Sequence, residues 1–296
     1  MTMSAKWQQR RSRELNETGK RKTEKRAFAI ANSKTIEDVV KDFGPDPGSR
    51  AGGGVRVVFN MSNEYIPTFC SAASGGYENS YDLGKTRRLG DSNPEPKRRE
   101  LVDDVLTKVT GIPAQKIYFG AVEVNGSGVR FYGDYCLVLK DAPDDPWILD
   151  RNSYDIARVP LAWRGSLDPK QMIKSAESIS GKWKADLGHI LMVKTFSSIR
   201  VNSRRLTVGQ ISNAVLNDED YVEVLRSCSF TANDIAEVRT SATDAARESA
   251  IADRSLHGPV PSAHELLWRR RRLEAEQAMR DEGLTVRVVT ASGRIR

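Results

Sequence analysis

Cysteine, histidine and long apolar runs are all scarce in this 296-residue chain, and each shortage closes off a class of function. The three cysteines, Cys70, Cys136 and Cys228, are odd in number and far apart. A disulfide framework is therefore not expected, and a reducing compartment is. The three histidines, His189, His257 and His264, stand at no ligand spacing from a cysteine or from one another. No metal site is expected from them, and His189, heading an apolar segment, reads as a structural residue. No apolar stretch approaches the roughly 20 residues a membrane span requires. The first 26 residues are too charged for a secretory leader, so the expected location is cytoplasmic, with no membrane partner. The glycine spacing of a dinucleotide fold is missing, and Gly52–Gly54 lacks the Lys-Ser/Thr pair that ends a phosphate loop. No nucleophile elbow or catalytic-cysteine signature is present. A nuclease core would need a second carboxylate between Asp134 and Lys140, where Val138 stands instead.

Positive charge is what the chain has in excess, and it is concentrated. Lys6, Arg10, Arg11, Arg13, Lys20, Arg21, Lys22, Lys25 and Arg26 face only three glutamates within residues 1–26. That arm carries +6 of the net +7, so the rest of the chain is nearly neutral. A second basic run from Lys85 to Arg99 contains Arg87 and Arg88, and a third is Arg269, Arg270, Arg271 and Arg272. Clusters of this kind are either phosphate contacts, which hold a polyanion without reading sequence, or solvated faces. Nucleic acid or another polyanion is the expected partner.

Punctuation divides the chain. Residues 4–31 have the composition of a polar helix or a disordered arm, and Ser33 reads as the N-cap of a short helix Lys34–Phe43. The Gly44–Gly54 stretch is a linker by composition. The expected organisation is a basic arm and short helix over 1–44, a linker over 45–54, a core domain over 55–240 and a polar helical extension over 241–296. Within the core, strands are expected at Val55–Met61, Lys116–Val124, Tyr135–Lys140, Trp147–Leu149, His189–Phe196 and Tyr221–Leu225. The Asn125–Gly128 turn is expected to join the second and third as a hairpin. Helices are expected at Pro96–Thr110, Pro169–Ser178, Thr207–Leu216 and Pro261–Glu282, the last a surface for a protein partner. Short strands mixed with helices give an α+β class, with a mixed central sheet and flanking helices.

Two stretches hold the residue types of a site. Phe131–Lys140 is an apolar strand, Cys136 to Leu139, with Tyr132, Gly133 and Asp134 at its entry. Trp147–Ile156 is a second strand with Arg151, Asn152 and Tyr154 at its exit. Strand ends fix such groups while leaving them open to ligand. A third element, Tyr221–Leu225, places Tyr221 and Glu223 on one face, because strand side chains alternate. Glu223 then either projects into a cleft or faces water from an edge strand.

Taken in order, these elements resemble bacterial and phage ADP-ribosyltransferase-type toxin and effector domains. The likeness covers Phe131–Ile156 and Tyr221–Val238. Tyr221 stands where many members have Gln or Glu. The resemblance implies an NAD cofactor and transfer of ADP-ribose to a nucleic acid or a nucleic-acid-associated protein. It implies that Glu223, with Tyr221, is catalytic. Tyr132, Tyr135 and Tyr154 would stack on the nicotinamide, Asp134 would also bind the cofactor, and Arg56 or Arg151 would hold the pyrophosphate. The competing expectation is a non-enzymatic nucleic-acid-binding or assembly protein of a phage or mobile element, working through its basic segments. The two differ on whether Glu223 and the Tyr132–Asp134 turn meet in one cleft.

Overall fold

Eight strands form one mixed sheet in a computed structural model that describes residues 24–40, 54–71, 76–79, 81–82, 96–140, 144–157, 168–198, 205–217 and 220–290. In chain order the strands are β1 (Arg56–Met61), β2 (Tyr118–Glu123), β3 (Tyr135–Leu139), β4 (Trp147–Leu149), β5 (Ser180–Lys182), β6 (Leu216–Asn217), β7 (Asp220–Tyr221), β8 (Glu223–Arg226), β9 (Ile235–Ser241) and β10 (Val286–Val289). The sheet order is β10-β9-β3-β1-β2-β8-β4-β5, and β6 and β7 make a separate two-stranded ribbon. Every neighbouring pair is antiparallel except β9 and β10. The helices are α1 (residues 24–40), α2 (Ile66–Cys70), α3 (Pro96–Thr110), α4 (Pro169–Ile179), α5 (Trp183–Ser198), α6 (Val208–Val215), α7 (Ala242–His257) and α8 (Ala263–Asp281). The fold is α+β, as its composition of elements implies.

β3 lies inside the sheet because its sequence leaves no polar face. Cys136, Leu137, Val138 and Leu139 are all buried, as a run covered on both faces must be. β1, which is equally apolar at Val57, Val58 and Phe59, takes the position between β2 and β3. The Asn125–Gly128 turn therefore does not close a hairpin: β2 and β3 each pair with β1 instead. On one side Phe28, Ile36 and Val39 of α1 join Leu187, Ile190 and Leu191 of α5 and Ala275 and Met279 of α8 in the largest cluster. A second cluster packs Val102, Val105 and Leu106 of α3 on Met172, Ala176 and Ile179 of α4, against Leu149 and Leu225.

Three sequence expectations change here. The apolar run His189–Phe196 is helical, inside α5. Over a longer window the buried residues Trp183, Leu187, Ile190, Leu191, Lys194 and Thr195 follow a helical period, which a short run conceals. Ser33 caps nothing, because α1 runs through it. The anchor is the neighbouring Asn32, buried, whose side chain donates to the Phe28 carbonyl at 3.1 Å and accepts from Leu206 N at 2.8 Å. The segment after residue 240 is not peripheral, since β10 completes the sheet beside β9 and α8 contributes to the core. Most of the Gly44–Gly54 linker lies outside the described residues. Among the described residues, no helix is long and apolar enough to cross a membrane.

Candidate active site

The sheet forks at its centre. β1 pairs with β2 only from Arg56↔Glu123 to Val58↔Ala121. From Val58 onward β1 follows β3 as far as Met61, whereas the first half of β2, Tyr118 to Ala121, follows β8. A cleft of about 530 Å³ opens in the fork, with Phe59, Asn60 and Met61 on one wall and Phe119, Gly120 and Ala121 on the other. Gly120 permits the close approach at the apex. A Cβ there would lie 2.8 Å from the Val58 carbonyl oxygen and 2.9 Å from the Phe59 ring, closer than atoms tolerate.

Glu223 begins β8 beside this cleft. It pairs with Ala121 on one side and Leu149 on the other, and only 3% of it is exposed. The Ser153 backbone N–H donates to its Oε2 at 2.9 Å, and the Tyr221 hydroxyl donates to its Oε1 at 3.4 Å. Tyr221 Oη in turn accepts from Asn152 Nδ2 at 3.1 Å and lies 3.1 Å from the Tyr132 hydroxyl. The Tyr132 and Tyr221 rings meet edge to face, centroids 6.4 Å apart. Burial pushes the Glu223 carboxyl up from 4.5 to about 7, against the opposing pull of Ser153 and of the Arg99 cation. Burial and the nearby Glu223 charge push the Tyr221 hydroxyl far above the ordinary phenol range, so it stays protonated and keeps its donor. A carboxylate poised near neutrality and held by fixed donors in a cleft is the arrangement expected of a working acid or base.

Among the described residues, the cation that lines the cleft is Arg99, on α3. Its guanidinium lies 4.1 Å from the centre of the Phe119 ring and 5.3 Å from that of Tyr154. Nε donates to Asp103 Oδ2 at 3.0 Å, and Asp103 is itself held by the Tyr81 hydroxyl at 2.6 Å. Nη2 is buried and has no hydrogen-bond partner among the described residues. In the sequence Arg99 is hidden at the end of a basic run. The signal that marks it is Asp103, four residues on along the same helix.

The structure brings together Glu223, Tyr221, Tyr132 and Tyr154, which all line the cleft. It does not bring in the others. Tyr135 follows β3 to the opposite face, fully buried, where its hydroxyl donates to Glu276 at 3.0 Å and the Arg272 guanidinium lies 4.7 Å from its ring. The Asp134 carboxyl is raised by burial and by Asp244, with Arg272 and Arg130 opposing, which places it towards α7 and α8. Arg56 precedes the fork, opposite Glu123 on the paired side. Arg151 is exposed and bonded to Asp150 at 2.7 Å. Among the described residues, Arg99, rather than Arg56 or Arg151, lines the cleft.

The basic clusters also separate. Arg10, Arg11, Arg13, Lys20, Arg21, Lys22, Arg87 and Arg88 lie outside the described residues. Lys25 and Arg26 are exposed on α1. Arg269–Arg272 do not form one cationic face, because consecutive helical residues point about 100° apart. Arg272 is 1% exposed and bonded to Glu248 and Glu276, Arg271 pairs with Glu64, and Arg270 pairs with Glu274. Among the described residues no group of three or more His, Cys, Asp or Glu is placed to hold a metal ion. Comparison of the chain with known protein families, with curated proteins and with solved structures returns no match.

Proposed function

We propose that the forked-sheet cleft is the active site of an ADP-ribosyltransferase-like enzyme that takes ADP-ribose from NAD. The observation that carries this reading is the convergence of Glu223 with Tyr132, Tyr154 and Arg99 in one cleft of about 530 Å³, within the 300–1,000 Å³ typical of small-ligand sites. Breaking the bond between ribose C1′ and nicotinamide sends the bonding pair to nicotinamide and leaves positive charge on the sugar, as in glycoside cleavage. Ionised Glu223 places a fixed negative charge where that cation forms. The aromatic rings supply faces for nicotinamide, and Arg99 in the cleft lining supplies a cation for the pyrophosphate. The acceptor that captures C1′ loses a proton in doing so, and the basic arm favours nucleic acid, or a protein bound to it, in that role.

The competing reading is a binding or assembly protein without catalysis. It rests on the arm of residues 1–26, of which Lys25 and Arg26 are exposed on α1. Of the C-terminal cluster, Arg272 is buried and paired with Glu248, while Arg270 and Arg271 pair with Glu274 and Glu64 at the surface. The two readings separate in one assay. Purified chain incubated with NAD should release nicotinamide, and Glu223→Gln should reduce the rate about 10²-fold or more. No release from the unaltered chain, with or without cell extract as acceptor, would remove the enzymatic reading.

A further inference from the structure

Beside the cleft, the large ring of Phe131 faces solvent. Phe131 is 84% exposed, in a short 3₁₀ turn over Arg130–Tyr132 that connects towards β3. Such exposure of a large ring is usual on a mobile loop, but this turn is fastened on every side. Arg130 forms a forked ion pair with Asp244, at 2.6 and 3.2 Å. Tyr132 N and Gly133 N donate to the carbonyls of Val129 and Arg130. Gly133 sits so close to the Met61–Ser62 backbone that any Cβ would overlap it. The ring of Phe131 meets that of Tyr132 edge to face at 5.3 Å, and Tyr132 reaches Glu223 through Tyr221. An exposed aromatic ring on a fastened turn thus stands beside the cleft-lining Tyr132, two side chains removed from the carboxylate.

We propose that Phe131 is the acceptor platform, on which an unpaired base of single-stranded nucleic acid stacks as it enters the cleft. The inference rests on the ADP-ribosyl transfer reading above. The occupant follows from flatness and charge: a base presents a π-face to the ring, and its strand presents phosphates to a chain carrying +6 within residues 1–26. A single strand is required, because a base inside a duplex exposes neither face. In the transfer step the bond between C1′ and nicotinamide breaks and nicotinamide leaves with the pair. A base nitrogen then bonds to C1′, and its proton passes to the Glu223 carboxylate or to water.

The test uses the full chain with Phe131→Ala and Phe131→Trp, substitutions at an exposed ring that leave the core intact. A fluorescein-labelled single-stranded oligonucleotide, followed by anisotropy without NAD, should bind the Ala variant about 5-fold or more weakly and the Trp variant as tightly as the parent. With labelled NAD, transfer to that strand should fall in the Ala variant by at least the same factor. Nicotinamide release to water should be unchanged. Equal binding and equal transfer for parent and Ala variant would overturn the platform. So would loss of nicotinamide release in Phe131→Ala, which would assign the ring to the NAD site, or labelling of protein but not of the strand. If the parent releases no nicotinamide, the transfer reading fails, and the anisotropy contrast still decides whether Phe131 holds a base.

Discussion

Replacing Glu223 by Gln should slow nicotinamide release about 10²-fold or more and, above neutrality, make the protein more stable. The carboxyl titrates at about 7 in the fold, against 4.5 as its ordinary value. Between those limits the folded state holds a proton that the unfolded chain has released, so stability falls as pH rises. At about 1.4 kcal/mol per pH unit of difference, the loss approaches about 3 kcal/mol, complete a little above pH 7 and absent below about pH 4.5. Gln removes this pH dependence because it never ionises. Its carbonyl still accepts from Ser153 N, and its amide N–H can donate to Tyr221 Oη, so the hydrogen bonds survive. Urea unfolding of parent and variant at several pH values measures the difference directly, read from the midpoint at constant slope. The two should be nearly equal at pH 4.5, with the variant ahead by about 3 kcal/mol at pH 8. A difference that does not change with pH would refute the buried, raised carboxyl, and with it the argument that Glu223 is held ready for charge. The same titration gives the activity its sign: kcat/KM for nicotinamide release should rise with pH through about 7 as Glu223 ionises.

Arg99→Ala should raise KM for NAD by about tenfold or more, since a charged hydrogen bond is worth about 1.5–3 kcal/mol; an unchanged KM would take Arg99 out of the ligand site. Arg272→Ala should cost about 3–5 kcal/mol of unfolding free energy, because it leaves Glu248 and Glu276 facing a buried gap beside Tyr135. It should leave nucleic-acid affinity unaltered, and weaker binding by a folded variant would restore Arg272 to the nucleic-acid surface. Removing residues 1–23, which stops short of the core residue Phe28, should preserve the folded domain by circular dichroism. It should also flatten the log–log salt dependence of nucleic-acid binding by about 0.7–0.9 for each phosphate that the arm neutralises; identical slopes would show that it neutralises none.

Patterns confined to a few neighbouring residues are legible in the sequence. Cys136–Leu139 reads as a buried strand because four apolar residues in succession leave no face for water, and their burial in β3 follows. The helix Pro96–Thr110 and the start of α8 near Pro261 are visible for the same reason. Periodicity and capping act within a turn or two, and the Ser262–Glu265 capping box is such a device. The pairing of Tyr221 and Glu223 on one face also follows from alternation alone.

What depends on distant parts of the chain is not legible there. Whether Glu223 faces water or a cleft is decided by Ser153, Asn152 and Tyr132, 70, 71 and 91 positions earlier in the sequence, and by where β1 and β2 part. Tyr132 and Tyr135 look equivalent as aromatics at one strand entry, yet the pleat and the turn at Gly133 send one into the cleft and the other beneath α8. Four consecutive arginines look like a polyanion site until the helix divides Arg270, Arg271 and Arg272 among Glu274, Glu64, Glu248 and Glu276. The sequence by itself determined which segments are strands and helices of an amphipathic or buried kind, wherever local spacing is long enough to show the period. The tertiary structure alone decided the fork of the sheet, the placement of Arg99 rather than Arg56 or Arg151 in the cleft, and the burial that raises the Glu223 carboxyl, because burial and partnership are properties of residues brought together from far apart.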